Sequence, residues 1–256
     1  MAPSTPDGDR ARDDLTAAAD PLAAGGDPLR AAADAMRAVR DRCVWSQQID
    51  HRALVPYLVE ESAELIDAVE AGSRAELREE LGDVLWQVLF HSEIASRDPD
   101  DPFDIDDVAR GLTEKMVRRH PHVFGDAVAT TPEEVLVHWN AAKAAEKHER
   151  TSVLDGLSHH MPSLALAQKL LSKAAAVGVE RGQKIVGPGL GSAPGVGDEA
   201  LAHRAPESEA ELGDALLRLV AVARERGWDA ERALRERLRA LEAEIRVVER
   251  EGMAGE

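Results

Sequence analysis

Between Glu60 and Asp83 the chain reads Glu60-Glu61-Ser62-Ala63-Glu64 and, after Gly72-Ser73, Glu79-Glu80-Leu81-Gly82-Asp83. On a helix, residues three apart share a face, so Glu61 pairs with Glu64 and Glu80 with Asp83. Gly72 is the residue type that ends a helix, and Ser73 with Glu76 reads as a capping box that starts the next. Two helices joined by so short a turn pack antiparallel, which lets the acidic faces converge into one cage. Carboxylates held that close repel one another, so a cation is the expected occupant. Oxygen ligands with no interleaved Cys or His favour magnesium, with manganese as second choice, over zinc. The alternative is a pair of solvated acidic faces. The second acidic pair, one hairpin away and beside apolar residues, tips the balance towards a site.

The remaining composition narrows the class. With 31 Lys and Arg against 48 Asp and Glu, the formal net charge is −17, which disfavours a general nucleic-acid binder. A phosphorylated small substrate stays compatible, because a metal and a few local cations suffice for it. Aromatic residues make up 3 %, and Ala, Leu, Glu and Arg dominate, so helices are favoured over a β-sandwich or barrel. The lone cysteine, Cys43, excludes an internal disulfide and suggests a reducing cytoplasm. The first residues lack the features of a signal peptide, and no apolar run approaches the ~18 residues of a membrane span. A soluble, cytoplasmic protein is expected.

Residues 1–28 read as a disordered leader. A first helix is predicted from Leu29 to Cys43, then a loop over Cys43–Ser46, with Trp45 capping the core or lining a pocket. The next helix is expected to begin at Pro56, in its first turn, and to run to about Ala71. Its partner, Arg74 to Ser96, has the clearest stripe of the chain, from Leu77 through Leu81, Val84, Leu85, Val88 and Leu89. Glu80 and Asp83 flank that stripe. Asp104 to Arg119 should form a further helix, closed by a loop over His120–Gly125. Lys115, Arg118 and Arg119 on it are either surface salt-bridge partners of the acids or a phosphate clamp opposite them. His120 and His122 are read as structural. Thr131 starts another helix, on which Trp139 and Lys143 share a face, and Pro162 to Val177 forms one more. The Gly/Pro-rich stretch 178–208 reads as a linker, since no strand precedes it to make a phosphate loop.

The last segment echoes the first. Glu211-Leu212-Gly213-Asp214-Ala215-Leu216 repeats Glu80-Leu81-Gly82-Asp83-Val84-Leu85, which suggests a duplicated helical unit. The copy is incomplete: a linker stands where a second Glu-Glu-x-x-Glu helix is expected, and Ala240 and Glu244 stand opposite Lys115 and Arg119. The domains expected are therefore 29–177, carrying the site, and 209–250, a structural second lobe.

The arrangement Glu60-Glu61-x-x-Glu64, fifteen residues, then Glu80-x-x-Asp83 resembles the defining motif of the MazG family of nucleoside triphosphate pyrophosphohydrolases. The stretches His51–Tyr57, Lys115–Phe124, Trp139 with Lys143, and Ser152–Leu157 look like that family too, so the resemblance covers about 29–177. It implies an all-α fold of antiparallel helix pairs, here duplicated with a degenerate second copy, as well as a homodimer. It also implies magnesium-dependent conversion of a nucleoside triphosphate to the monophosphate and pyrophosphate. Carried over by position, Glu61, Glu64, Glu80 and Asp83 are metal ligands, and Glu60, Glu61 and Glu64 the catalytic carboxylates. Lys115, Arg118, Arg119, Trp139 and Lys143 contact substrate. Cys43-Val44-Trp45-Ser46 departs from the family's Cys-Pro-Trp-Asp, which leaves the base pocket unassigned. The rival readings are a same-fold enzyme restricted to dUTP or a damaged nucleotide, and a non-enzymatic dimeric helical partner protein.

Overall fold

The computed structural model describes residues 26–146, 151–179 and 205–253. The expected leader over 1–28 and the linker over 178–208 lie for the most part outside the described residues. Among these, all regular structure is helical, as expected. No helix there is long and apolar enough to cross a membrane. Contacts divide the chain into two compact units, one ending at Glu146 and one following it.

In the first unit α1 spans Pro28–Arg42, α2 Val44–Gln48, α3 His51–Glu70, α4 Arg74–Ala95, α5 Ile105–Arg119, α6 Pro121–Phe124 and α7 Pro132–Ala145. The α3/α4 hairpin is its most extensively packed pair, with α1 and α5 laid against α4 and α7 against α5. The core is small: Ala33 and Met36 of α1, Leu54 of α3, and Leu89 and Phe90 of α4. At its edge, Glu93 of α4 takes ion pairs from Arg37 of α1 at 3.3 Å and from Arg97 at 3.5 Å.

Several local features depart from expectation. Helix α3 starts at His51, ahead of Pro56, because the Asp50 side chain caps it by accepting the Ala53 N–H at 2.8 Å. Pro56 then sits inside the helix, past its first turn, and cannot donate to the Arg52 carbonyl four residues before it. The loop expected at Cys43–Ser46 is the one-turn helix α2. Ser46 is fully buried there, its hydroxyl 2.8 Å from the Val39 carbonyl and 3.0 Å from that of Cys43. Trp45 sits edge-on to Tyr57 and Phe90, with ring centroids 6.0 and 6.1 Å apart, and so partly covers the core. The stripe of α4 is only half inward: Leu89 is buried, whereas Leu81 and Val88 are exposed and Gln87 takes a fully buried place.

In the second unit α8 spans Ser163–Ala176, α9 Glu209–Glu225 and α10 Ala230–Met253. Leu171 of α8 packs with Val220 and Ala221 of α9, and both α8 and α9 contact α10. The packing boundary therefore falls before the domain end expected at 177, since α8 packs with the C-terminal helices.

Candidate metal centre and cation cluster

The turn between α3 and α4 determines how closely their acids approach. Its capping box is complete: Ser73 accepts the Glu76 N–H at 3.2 Å, and the Glu76 carboxylate accepts the Ser73 N–H at 2.5 Å. Gly72 is needed for space rather than for a left-handed backbone. A Cβ there would lie 2.7 Å from Ala68 Cα and 2.9 Å from its carbonyl oxygen. The tight turn aligns the middle of α3 with the first half of α4.

There, one carboxylate oxygen each from Glu61, Glu64 and Glu80 lie within 4.8 Å of one another. That is the span over which oxygens ring a hard divalent cation. Glu61 and Glu80 are half-buried and Glu64 is exposed. The Glu61 and Glu80 carboxyls resist ionisation. Burial, then Asp83, Glu64 and Glu60, push Glu61 above the ordinary carboxylate range. Burial, then Glu64, Asp83, Glu79 and Glu61, do the same to Glu80. Asp83 is outside the trio but near enough to act on both members. Glu60 is exposed and bears on the site only through Glu61.

One Glu80 oxygen is buried without a hydrogen-bond partner, as are both ends of the Gln87 amide, which lies beside Glu61. Like charges, raised proton affinity and an orphaned oxygen are the signature of a site suited to a divalent cation. Gln87 was missed by the sequence reading. Its signal was its spacing, four residues after Asp83 and seven after Glu80, which continues the acidic face. Farther along the hairpin, His51 and His91 stack with centroids 5.1 Å apart and Nδ1 atoms at 2.8 Å. One of those nitrogens must donate and the other accept, so the pair holds at least one neutral ring.

The cations form a second constellation, on α5 and α7. The Arg119 guanidinium lies 4.9 Å from the centroid of the Trp139 ring. Glu146, at the end of α7, takes the Arg118 Nε–H at 2.8 Å and the Arg119 Nη2–H at 2.5 Å. These donors hold the Glu146 carboxyl down at about 2. Among the described residues, Lys115 and Lys143 make no ion pair, and both are half-buried. His120 packs edge-on to Trp139 with its Nδ1 2.7 Å from the Met116 carbonyl, and His122 stacks on His138. Their contacts are internal to this cluster. Glu146 is the residue the sequence reading overlooked; it falls three positions after Lys143, on the same helical face. Among the described residues, no ion pair joins these arginines to the acids of the hairpin.

The first unit is thus an all-helical body in which a hairpin of facing carboxylates stands beside a basic, aromatic cluster on the adjoining helices. Residues 49–124 match the model of the MazG nucleotide pyrophosphohydrolase domain. Over 81 % of its length the chain is 34 % identical to the nucleoside triphosphate pyrophosphohydrolase of Escherichia coli K12, and it spans 81 % of that protein. It is 38 % identical to the nucleoside triphosphate pyrophosphohydrolase/pyrophosphatase MazG of Thermotoga maritima, over 77 % of this chain and 75 % of that one. An uncharacterized 26.1 kDa protein of Streptomyces cacaoi is 56 % identical over 60 % of this chain, which spans 63 % of its length. The chain belongs to the MazG family.

Proposed function

We propose that this protein hydrolyses nucleoside triphosphates and their deoxy forms to the monophosphate and pyrophosphate, with broad specificity. The convergence of Glu61, Glu64 and Glu80 within 4.8 Å carries this reading. The names of the E. coli and T. maritima relatives support it. Glu61, Glu64, Glu80 and Asp83 would hold magnesium, or manganese, whose donor preference the all-oxygen set matches. When bound, the metal neutralises phosphate charge and lowers the pKa of water.

The protein's own groups would then do the following. A carboxylate of the set not engaged as ligand, with Glu60 alongside, accepts the proton of the attacking water. Water adds to the α-phosphorus, the bond from that phosphorus to the bridging oxygen breaks, and pyrophosphate leaves with the electron pair. Lys115 and Lys143 suit the role of holding the phosphate tail, since among the described residues neither is tied up in an ion pair. Arg118 and Arg119 would complete the clamp, pre-oriented by Glu146. Trp139, with Arg119 on its ring, would pack against sugar or base. The setting proposed is cytoplasmic, with a homodimer as the working form and nucleotide-pool cleaning as the task.

Release of pyrophosphate from a mixed pool of (d)NTPs, with and without magnesium, tests the reading beside Glu61→Gln. Release by wild type and none by the variant is expected. Equal release by the variant, with helicity intact, would sink the site assignment. A panel of single triphosphates, including dUTP and oxidised nucleotides, measures the breadth of specificity.

A further inference from the structure

One buried side chain beside the acids lacks the partners that burial demands. Gln87 of α4 is fully enclosed, yet neither end of its amide makes a hydrogen bond among the described residues. Leaving such a group unpaired costs about 1–3 kcal/mol, so an apolar residue would serve folding better there. Other buried polar side chains of this core have their partners. Ser46 and Ser92 donate to the Val39 and Val88 carbonyls at 2.8 Å, and Glu93 is paired to Arg37 and Arg97. Arg40, also left with unpaired N–H groups, has the Phe90 ring centroid 5.8 Å away. Gln87 has no such substitute, and an amide kept open in a core calls for a partner.

Its place identifies that partner. Gln87 follows Glu80 by two turns and Asp83 by one on the same face of α4, about 6 Å along the axis from Asp83. Across the hairpin it lies beside Glu61. Burial first, then Asp83, Glu64 and Glu60, disfavour the Glu61 anion, and the Gln87 amide pulls the other way. Glu61 gives one oxygen to the cluster with Glu64 and Glu80, which leaves its second oxygen to be held. The helix cannot hold it. Glu61 sits in the middle of α3, where backbone N–H groups are spent on carbonyls one turn back. Among the described residues, no arginine or lysine is ion-paired to it either. Gln87 is the donor at hand, and being neutral it adds no charge to compete with a cation.

We propose that Gln87 is a positioning residue for Glu61: its amide N–H binds one oxygen of that carboxylate and turns the other toward the cation. This role rests on the metal site of the hydrolytic reading and adds the residue that fixes the orientation of one ligand. Without that bond Glu61 is free to turn, and ordering it draws on the binding energy of the metal. The unpaired amide thus weakens the empty fold and strengthens the filled site.

The test reads metal binding and stability, neither of which needs turnover. Manganese is titrated into nucleotide-free protein, with the paramagnetic resonance of the free ion as readout. Wild type, Gln87→Met, Glu61→Gln and the double variant are compared. Methionine keeps the length of the side chain and removes both polar ends. Gln87→Met should weaken manganese binding about tenfold, as when a residue that orients a metal ligand is lost. In the Glu61→Gln background the same change should matter less than about twofold, because the carboxylate it positions is gone. In chelator Gln87→Met should melt above wild type, since an unpaired amide has left the core. An equal loss of affinity in both backgrounds, or a lower melting temperature in chelator, would make Gln87 a packing residue and overturn the proposal. Manganese binding by Gln87→Met equal to that of wild type would leave the metal site standing and remove the role of Gln87 alone. A wild-type chain that binds no manganese would remove the site itself, and with it anything for Gln87 to position.

Discussion

The α3/α4 and α8/α9 helix pairs present two versions of one design. In both, a Ser cap starts a helix that carries a Glu-Leu-Gly-Asp sequence, and in both that helix packs on its predecessor. The acids are used differently. In α4 the cap is closed by Glu76, which leaves Glu80 a full turn farther on and free to face Glu61 and Glu64. In α9 the matching Glu211 falls at the capping position itself. Its N–H reaches Ser208 at 3.2 Å, and its carboxylate takes the Glu207 N–H at 2.8 Å. Across from α9, helix α8 bears no acid at all. Gln168 instead ties it to the turn after α9, donating to the Trp228 carbonyl at 2.7 Å and accepting the Ala230 N–H at 3.3 Å. In one pair carboxylates crowd together, whereas in the other side-chain contacts tie the helices to each other.

The comparison breaks most visibly at the acids. Glu80→Gln should cut magnesium-dependent hydrolysis by about 10²–10⁴-fold, the range seen when a group acting directly on the reaction is lost. The same change should raise the melting temperature of metal-free protein at neutral pH. Glu61 and Glu80 are shifted upwards, so their ionisation weakens the fold as pH rises through and above the carboxylate range. The advantage of the variant should therefore vanish on acidification, when wild type is protonated there too. Melting curves of both proteins in chelator across pH 4–8 check this, and an advantage that grows towards low pH would contradict it.

Next in size is the turn that sets the hairpin. Gly72→Ala forces a Cβ onto the backbone of Ala68 and should destabilise the first unit by more than about 1 kcal/mol, read by denaturant titration. Glu146→Gln should act mainly in acid. Its carboxyl is lowered from 4.5 to about 2, so the stability it contributes is complete above 4.5 and is lost as pH falls towards 2. The variant should show a flatter acid limb over that window. It should also raise KM more than it lowers kcat, through a less ordered Arg119. Smallest are the changes in the second lobe. Asp214→Asn should leave hydrolysis within about twofold of wild type, because α8, the partner of its helix, bears no acid with which a site could be built. Gly213→Ala, whose Cβ meets no atom within 4 Å, should stabilise by about 0.5–1 kcal/mol in thermal or urea melts.

Much of this was legible before any coordinates. Capping residues and periodicity located α4, α5 and α8 to within a residue or two, and the start of α7, since those signals are local and each rests on neighbours in the chain. The three-residue spacing of Glu61 with Glu64 and of Glu80 with Asp83 named the acids for the same reason. Pro56 misled, because its missing N–H suits a first turn, whereas the Asp50 cap starts the helix at His51 and leaves Pro56 inside it. The α4 stripe misled too: periodicity marks a face as apolar but does not say which side is covered, and Leu81 and Val88 stay exposed. What no local pattern holds is the meeting of distant segments. That Glu80 joins Glu61 and Glu64 while Asp83 stands just outside depends on the depth at which two helices mesh. That Glu146 reaches back to Arg118 and Arg119, and that α8 packs with the C-terminal lobe, depends on where loops let helices return. Such contacts are chosen by burial and electrostatics summed over the whole unit, a balance that exists only once the chain has folded.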